Sequence, residues 1–181
     1  LAQADILKRM NNKNAAIRIL EEASKNLPDD PELVYAQVLL LDPHEDRDQL
    51  DQLLKTLLKI EPNSPTYLNA YAYTLARQNR RLDEARRYAE QALEYAPEQA
   101  SILDTYGYIC YLQNDFTTAA QVLLKAYELN PSAKIGVRYA RSLYMKGDLQ
   151  QFHQVLQQLQ QNHPNDPELN QLNSLLLAPQ S

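Results

Sequence analysis

The stretch Leu103–Pro131, LDTYGYICYLQNDFTTAAQVLLKAYELNP, decides the fold. It holds two apolar segments of helical composition around a polar turn, and it ends in a proline that blocks helix continuation. Gly107 lies in the first segment, and Ala119 and Ala126 lie in the second. Such small residues remove side-chain bulk where two helices cross. The stretch therefore predicts a pair of closely packed antiparallel helices.

This helix pair is repeated along the chain. Prolines close five segments of similar composition, at Pro28, Pro62, Pro97, Pro131 and Pro164, and the intervals between them are 34, 35, 34 and 33 residues. A period near 34 residues that ends in proline resembles the tetratricopeptide repeat (TPR), in which helices A and B of each unit stack into a superhelix. The resemblance implies an all-α fold, a right-handed superhelical solenoid of antiparallel helix pairs, with about five units and about eleven helices.

The period divides the 181 residues into one array. We predict a partial repeat over residues 1–29, a divergent repeat over 30–63, regular repeats over 64–98, 99–132 and 133–165, and a capping helix with its tail over 166–181. Asp166 and Pro167 supply the N-cap and the first helical residue of that last helix. The first helix is already under way at Leu1, so we expect the chain to begin inside a larger array.

Two units depart from the pattern. In the divergent repeat, Asp42 and Pro43 should end helix A a turn early and begin an irregular loop. In the last regular repeat, Phe152 stands where the motif has a small residue, so looser packing is expected there.

The family resemblance also sorts the tyrosines. Tyr71, Tyr106 and Tyr139 fall on position 7 of helix A and are expected in the core, whereas positions 2, 5, 9, 12 and 13 line a concave groove. Tyrosine rings give contact area at little entropic cost, so a row of them suits an extended peptide or a helix. Alternatively, several of these rings pack only on neighbouring helices. The predicted groove residues are Asn69, Tyr73, Asp104, Tyr108, Tyr111, Lys134, Arg138, Arg141 and Tyr144, with Tyr35 in the divergent repeat.

Some members of the family hold the C-terminal carboxylate of heat-shock chaperones with five clamp residues. The corresponding positions here are Asn69, Tyr73, Thr105, Lys134 and Arg138. Only the lysine and the arginine match. A heat-shock co-chaperone is therefore not expected, while carboxylate capture by Lys134 and Arg138 stays open.

Composition and motifs exclude several classes of function. The net charge of −5 argues against nucleic-acid binding and mildly favours a basic partner. Cys110 is expected to be a buried structural thiol, because no His or Lys is spaced to stabilise a thiolate. The histidines share no metal-ligand spacing, the loop Asp42–Asp48 lacks a calcium-binding pattern, and neither a catalytic triad nor a phosphate loop is present. We therefore predict no metal, no cofactor and no enzymatic activity.

Five arginines cluster around the turn between helices A and B of the first regular repeat. The cluster could contact acidic lipid head groups or an acidic partner, or it could be a solvated turn whose charge is offset by nearby acidic residues. The arginines are Arg77, Arg80, Arg81, Arg86 and Arg87.

Residues 63–148 are similar to TPR proteins of Gram-negative bacteria, on the segments YLNAYAYTLARQNRRLDEA and ILDTYGYICYLQND. Tyr106 and Tyr108 stand where that group commonly has Leu and Trp. The resemblance implies a periplasmic or outer-membrane-associated protein, held to the membrane through a lipid anchor outside this chain, with the cytoplasm as the alternative. One branch of the group is an adaptor for a carboxyl-terminal processing protease, so such a protease or an envelope assembly complex is a candidate partner.

These observations predict a non-catalytic scaffold or adaptor that binds a peptide or helix in a tyrosine-lined groove. Two alternatives stay open. The array could be an oligomerisation or assembly module, or it could be a regulatory segment of a larger enzyme or of a secretion or envelope complex. The sequence leaves the oligomeric state undecided.

Overall fold

The computed structural model describes residues 13–27, 29–169 and 172. The predicted helix at Leu1 and most of the predicted capping helix lie outside the described residues. The described part contains helices and turns and no strand. Its helices are α1 (Lys13–Asn26), α2 (Pro31–Val38), α3 (Arg47–Ile60), α4 (Pro65–Arg77), α5 (Leu82–Tyr95), α6 (Ala100–Leu112), α7 (Phe116–Leu129), α8 (Ala133–Lys146) and α9 (Leu149–Asn162).

The helices stack in chain order. Helices α2 and α3, α4 and α5, α6 and α7, and α8 and α9 form the A and B helices of successive pairs, and each B helix packs on the next A helix. The A helices α4, α6 and α8 also contact one another in sequence. This arrangement confirms the predicted all-α solenoid, and it aligns the A helices along one face.

Polar side chains fix where several helices begin. Asp30 accepts hydrogen bonds from the backbone N–H groups of Glu32 and Leu33, with Pro31 at the first helical position of α2. Asp115 and Asp148 cap α7 and α9 in the same way. These caps satisfy N–H groups that have no partner inside the helix. The first residue of each of these helices is thereby marked by a side chain of the repeat itself.

The divergent repeat has the shortened helix that the sequence predicted. Helix α2 ends at Val38, and residues 39–46 form turns before α3 begins. Asp42 accepts hydrogen bonds from the N–H groups of His44 and Glu45, and its own N–H donates to Asp46 at 2.7 Å. The loop is therefore held by its own carboxylates, and it brings Leu39 and Leu41 beside the concave face.

Close approach within the last two helix pairs depends on glycine opposite leucine. A Cβ atom at Gly107 would lie 2.5 Å from Cγ of Leu123, and a Cβ atom at Gly136 would collide with Leu159 and with the ring of Tyr127. The leucine of helix B thus fills the space that the glycine of helix A leaves open. Gly136 was not singled out in the sequence, because it stands at a different repeat position from Gly107.

The core contains most of the residues assigned to it. Tyr71, Tyr139 and Cys110 are buried, as predicted. Tyr106 is only half-buried, because Arg86 lies 5.5 Å from its ring centroid and hydrogen-bonds to its hydroxyl. Phe152 is fully buried, and α8 and α9 contact each other less than the helices of the two preceding pairs do, in line with the looser packing that the sequence predicted.

A polar network joins the divergent repeat to the first regular repeat. The Tyr71 hydroxyl donates to Asp51 of α3, and Arg81 donates to the same carboxylate at 2.8 Å. Lys55 donates to the second oxygen of Asp51 at 2.6 Å. Burial works against ionisation of Asp51, but these three hydrogen bonds outweigh it and lower its pKa to about 2. The network therefore favours the charged carboxylate in the folded state.

We predict that Gly107→Ala destabilises the array. Overpacking against Leu123 outweighs the gain in helix propensity, and the expected loss is about 1–2 kcal/mol of unfolding free energy. Leu123→Ala alone should cost about 2–5 kcal/mol. Urea unfolding of the two single variants and of the double variant tests the contact. The double variant should lose less than the sum of the single losses, and additive losses would contradict the proposed contact.

Asp51→Ala should lower the unfolding free energy by about 1–3 kcal/mol at neutral pH, because it removes the charged acceptor of the buried Tyr71 hydroxyl. The folded-state pKa of Asp51 lies below the usual 3.8, so its contribution is present above that pH and is lost as the pH falls toward about 2. Urea midpoints measured across this range should show the wild type and the variant converging. A gap that stays constant down to the lowest pH would argue against the network.

Candidate functional site

The concave face of α4, α6 and α8 carries two adjoining pockets that share Tyr73 and Lys134. The first, here called the cationic pocket, has a volume of about 510 Å³. The second, here called the amphipathic pocket, has a volume of about 340 Å³ and lies toward the loop of the divergent repeat. Side chains of the cationic pocket are Tyr73, Arg77, Tyr108, Tyr111, Lys134, Val137, Arg138, Arg141 and Glu168.

Three cations surround the ring of Tyr73 at the centre of the cationic pocket. Lys134 Nζ lies 4.9 Å from the ring centroid, and the guanidinium carbons of Arg77 and Arg138 lie at 5.9 and 5.8 Å. Arg77 Nη1 and Lys134 Nζ each donate to the Tyr73 hydroxyl at 3.3 Å. Lys134 is 61 residues away from Tyr73 in the chain, so the stacking of the repeats makes this contact.

The cations change the acidity of Tyr73. Burial raises the pKa of a phenol, but here the hydrogen bond from Arg77 and the charges of Lys134 and Arg138 outweigh it and lower the pKa to about 8. At neutral pH the hydroxyl is therefore mostly protonated. The ion pairs among the described residues do not include Arg77 or Lys134, although Glu168 lines the same pocket and the charge of Asp42 helps to raise the pKa of Arg77.

Arg138 has a different environment. Its Nη1 donates to Asp104 Oδ2 at 2.6 Å, and its guanidinium lies 4.1 Å from the ring centroid of Tyr108. Both members of this ion pair are largely buried. The stacked ring and the carboxylate fix Arg138 at the boundary between the two pockets.

The amphipathic pocket has an apolar wall and a polar wall. The apolar wall comes from the divergent repeat and includes Val38, Leu39 and Leu41. The polar wall includes Asn69 and Asp104, and the Oδ1 atom of each is buried without a hydrogen-bond donor among the described residues. Asp104 is only 6% exposed. The pocket therefore combines apolar surface with two buried acceptors that have no partner.

Of the predicted groove residues, all but Tyr144 line one of the two pockets. Tyr35 lies in the amphipathic pocket, and its ring centroid is 5.3 Å from that of Tyr67. Tyr144 lies outside both pockets, with its ring 5.3 Å from that of Phe152. The bulky Phe152 in helix B gives Tyr144 a packing partner, which is the alternative that the sequence left open. Whether these residues bind a ligand remains a prediction.

The five arginines of the predicted cluster do not act as one patch. Arg81 pairs with Asp51 and Glu84, and Arg86 pairs with Glu90. Arg77 points instead into the cationic pocket. Arg77 stands at position 13 of helix A, which is one of the groove positions. The repeat register could therefore have predicted that it lies on the concave face.

Cys110 and the possible metal ligands form no second candidate site among the described residues. Burial raises the pKa of Cys110 to about 11, so its thiol is protonated at neutral pH. The residues that the structure describes include no group of His, Cys, Asp or Glu side chains that could hold a metal ion. None of the described helices is both long enough and apolar enough to cross a lipid bilayer.

Comparison with known proteins agrees with the fold. The family model for the tetratricopeptide repeat matches residues 72–134. The TPR repeat-containing protein PA4667 of Pseudomonas aeruginosa is 30% identical over 135 residues, which are 75% of this chain and 23% of that protein. The protein O-mannosyl-transferase Tmtc2 of Drosophila melanogaster is 31% identical over 102 residues, which are 54% of this chain and 11% of that protein. The chain thus spans less than a quarter of the length of either curated relative.

Solved structures share the architecture at low sequence identity. TTC0263, a thermophilic TPR protein of Thermus thermophilus, superposes with a TM-score of 0.80 at 22% identity, covering 98% of this chain and 97% of that one. YrrB, described as a TPR protein with an unusual peptide-binding site, superposes with a TM-score of 0.70 at 12% identity, covering 94% of this chain and 88% of that one. At these identities the likeness establishes the fold.

We predict that Tyr73 ionises near pH 8, well below the usual pKa of about 10 for a tyrosine hydroxyl. Tyrosinate absorbance should show this early step in the wild type, and Tyr73→Phe should remove it. Lys134→Gln should move the step to higher pH, because it removes a positive charge from beside the phenol. Tyr95→Phe, on the exposed surface of α5, is the control and should leave the step in place. An early step that survives in Tyr73→Phe would contradict the assignment.

Proposed function

Because the chain belongs to the tetratricopeptide-repeat family, we propose that it is a non-catalytic scaffold whose concave groove binds an extended, acidic segment of a partner protein. Proteins of this family bind protein or peptide partners. The groove of this chain offers several aromatic rings beside cations, a combination that suits a segment held by both contact area and charge.

The observation that carries the proposal is the set of cations around Tyr73. Arg77 and Lys134 hydrogen-bond to a phenol that is mostly neutral at pH 7, so their charges remain available to a ligand. Carboxylates of a bound segment would gain charge-assisted hydrogen bonds there. The net charge of −5 suggested a basic partner, but it averages over the whole surface, while the groove itself concentrates positive charge.

We also propose a cellular compartment and a class of partner. The similarity of residues 63–148 to TPR proteins of Gram-negative bacteria supports a periplasmic or outer-membrane-associated adaptor, with a carboxyl-terminal processing protease or an envelope assembly complex as its partner. Since the chain spans 23% of the Pseudomonas relative, it is also compatible with a regulatory or assembly segment inside a longer protein. All of these roles use the array as a binding surface.

Selection from a displayed library of random peptides tests the groove. We expect the selected peptides to be enriched in Asp and Glu. Their affinity should fall about tenfold or more when Arg77→Glu and Lys134→Glu are combined, because both changes put negative charge where the carboxylates bind. Affinity for the wild type should also weaken as salt is added.

A matched double variant separates the groove from net charge. Arg87→Glu with Lys125→Glu makes the same change in total charge on exposed positions of α5 and α7, outside the two groove pockets. This control should bind the selected peptides as the wild type does. Equal losses in both double variants, or a selection without acidic enrichment, would count against the proposal.

A further inference from the structure

We propose that Tyr73 couples binding of the acidic segment to the uptake of a proton. The Tyr73 oxygen and a carboxylate of the segment compete for the same two cations, Arg77 and Lys134, and the segment binds the protonated form of the tyrosine. The inference rests on the proposed function, since the competing carboxylate belongs to the segment proposed above. It adds a residue that makes the affinity of the groove depend on pH.

The Tyr73 hydroxyl accepts hydrogen bonds from both cations. Arg77 Nη1 and Lys134 Nζ each donate to it at 3.3 Å, which is slightly longer than the usual range for N–H···O hydrogen bonds. The neutral phenol therefore holds each cation weakly, and both keep further N–H groups for a ligand. A phenolate in the same place would bind both cations through charge-assisted hydrogen bonds, and it would repel a carboxylate that approached them.

The hydroxyl proton of Tyr73 distinguishes it from two other tyrosines that accept hydrogen bonds from arginine. Tyr71 donates its proton to Asp51, and Tyr106 donates its proton to Glu90 at 3.2 Å. Burial raises the pKa of both of these hydroxyls. Both hydrogen bonds of the Tyr73 hydroxyl within the described residues come from donors. Its own proton is therefore left for a carboxylate of the ligand.

The positive groups around Tyr73 come from two helices. Arg77 belongs to α4, and Lys134, Arg138 and Arg141 belong to α8. Burial opposes ionisation of the phenol, but the hydrogen bond from Arg77 and the charges of Lys134 and Arg138 outweigh it and lower the pKa to about 8. This value lies above the ordinary pKa of carboxyl and histidine side chains and below that of lysine. The charge of Tyr73 can thus be changed without changing theirs.

The acidic groups around the cationic pocket are engaged elsewhere or unpaired with its cations. Asp104 of α6 accepts from Arg138 at 2.6 Å, Glu168 lines the pocket from the turn after α9, and Asp42 acts on Arg77 through its charge. Within the described ranges, no ion pair joins these carboxylates to the two cations that hold the phenol. The other titratable side chains that line the two pockets are Tyr35 of α2 and Tyr108 and Tyr111 of α6.

Binding and ionisation are linked by these contacts. A ligand carboxylate beside the hydroxyl favours its protonated form, and so raises the pKa of Tyr73 above its value of about 8 in the free groove. Between the free and the bound values, binding takes up a proton, and by reciprocity the loss of that proton weakens binding. The affinity is therefore highest below pH 8 and falls as the pH rises through it. A difference of about one pH unit between the two values corresponds to about tenfold in affinity.

Isothermal titration calorimetry measures both the affinity and the proton uptake. The probe is the tightest-binding acidic peptide from the displayed library that lacks Tyr, Lys, His and Cys, with acetylated and amidated ends, so that its own charge is constant. From about pH 7 to about pH 9.5 at constant salt, its affinity for the wild type should fall about tenfold. Near pH 8.5, titrations in buffers of different ionisation enthalpy should show uptake of about half a proton or more per peptide, and near pH 6.5 almost none.

Three variants assign the effect to Tyr73. Tyr73→Phe keeps the ring but has no proton to lose, so its affinity should stay within about twofold over this pH range, without proton uptake. Lys134→Gln removes a positive charge beside the phenol and should move the fall in affinity to higher pH. Tyr95→Phe, on the exposed surface of α5 outside both pockets, is the control and should keep the pH dependence of the wild type.

The outcomes separate this inference from the proposed function. Acidic peptides that bind near pH 7, but with an affinity independent of pH and without proton uptake, would overturn the inference and leave the proposed function standing. A pH dependence that Tyr73→Phe retains would do the same. Failure of every acidic peptide to bind near pH 7 would overturn both.

Discussion

The close approach of helices A and B is the constraint on which the rest of the structure depends. At Gly107 and Gly136 the missing side chain of helix A is replaced by a leucine of helix B, so each pair is locked by one complementary contact. This contact leaves the opposite side of helix A free of the core. The side chains that line the groove therefore lie on the side of helix A that this packing contact does not use.

Stacking then turns residues far apart in the chain into one site. Tyr73, Tyr108 and Arg138 come from three different repeats, yet the A helices align so that each ring lies beside a cation from a later repeat. Each repeat interacts mainly with its neighbours, which makes the geometry of the groove a sum of local contacts. The Asp51 network supplies one such contact where the divergent repeat would otherwise weaken the stack.

The period of the prolines was enough to predict the fold, and its register placed Tyr71 and Tyr139 in the core. Other features depend on contacts between two residues of different helices, and such contacts cannot be predicted from either residue alone. Leu159 fits because Gly136 stands opposite, and Tyr144 packs on Phe152 because that side chain is larger than the motif requires. The positive charge of the groove could not be predicted from the net charge of the chain, which is negative. The amphipathic pocket could not be predicted, since it depends on how residues 39–46 turn.

The hydroxyl of Tyr73 holds Arg77 and Lys134 in place and leaves their positive charges intact. A carboxylate at position 73 would neutralise Arg77 and Lys134 permanently and leave little for a ligand to gain. The Tyr73 hydroxyl instead accepts hydrogen bonds from both, and so holds them in place while their charges persist at neutral pH. The mutual repulsion of these cations costs stability, which the buried core and the Asp51 network offset elsewhere in the array. In the proposed function, a carboxylate of the acidic segment would relieve that repulsion, so part of the binding free energy would come from strain already present in the unliganded groove.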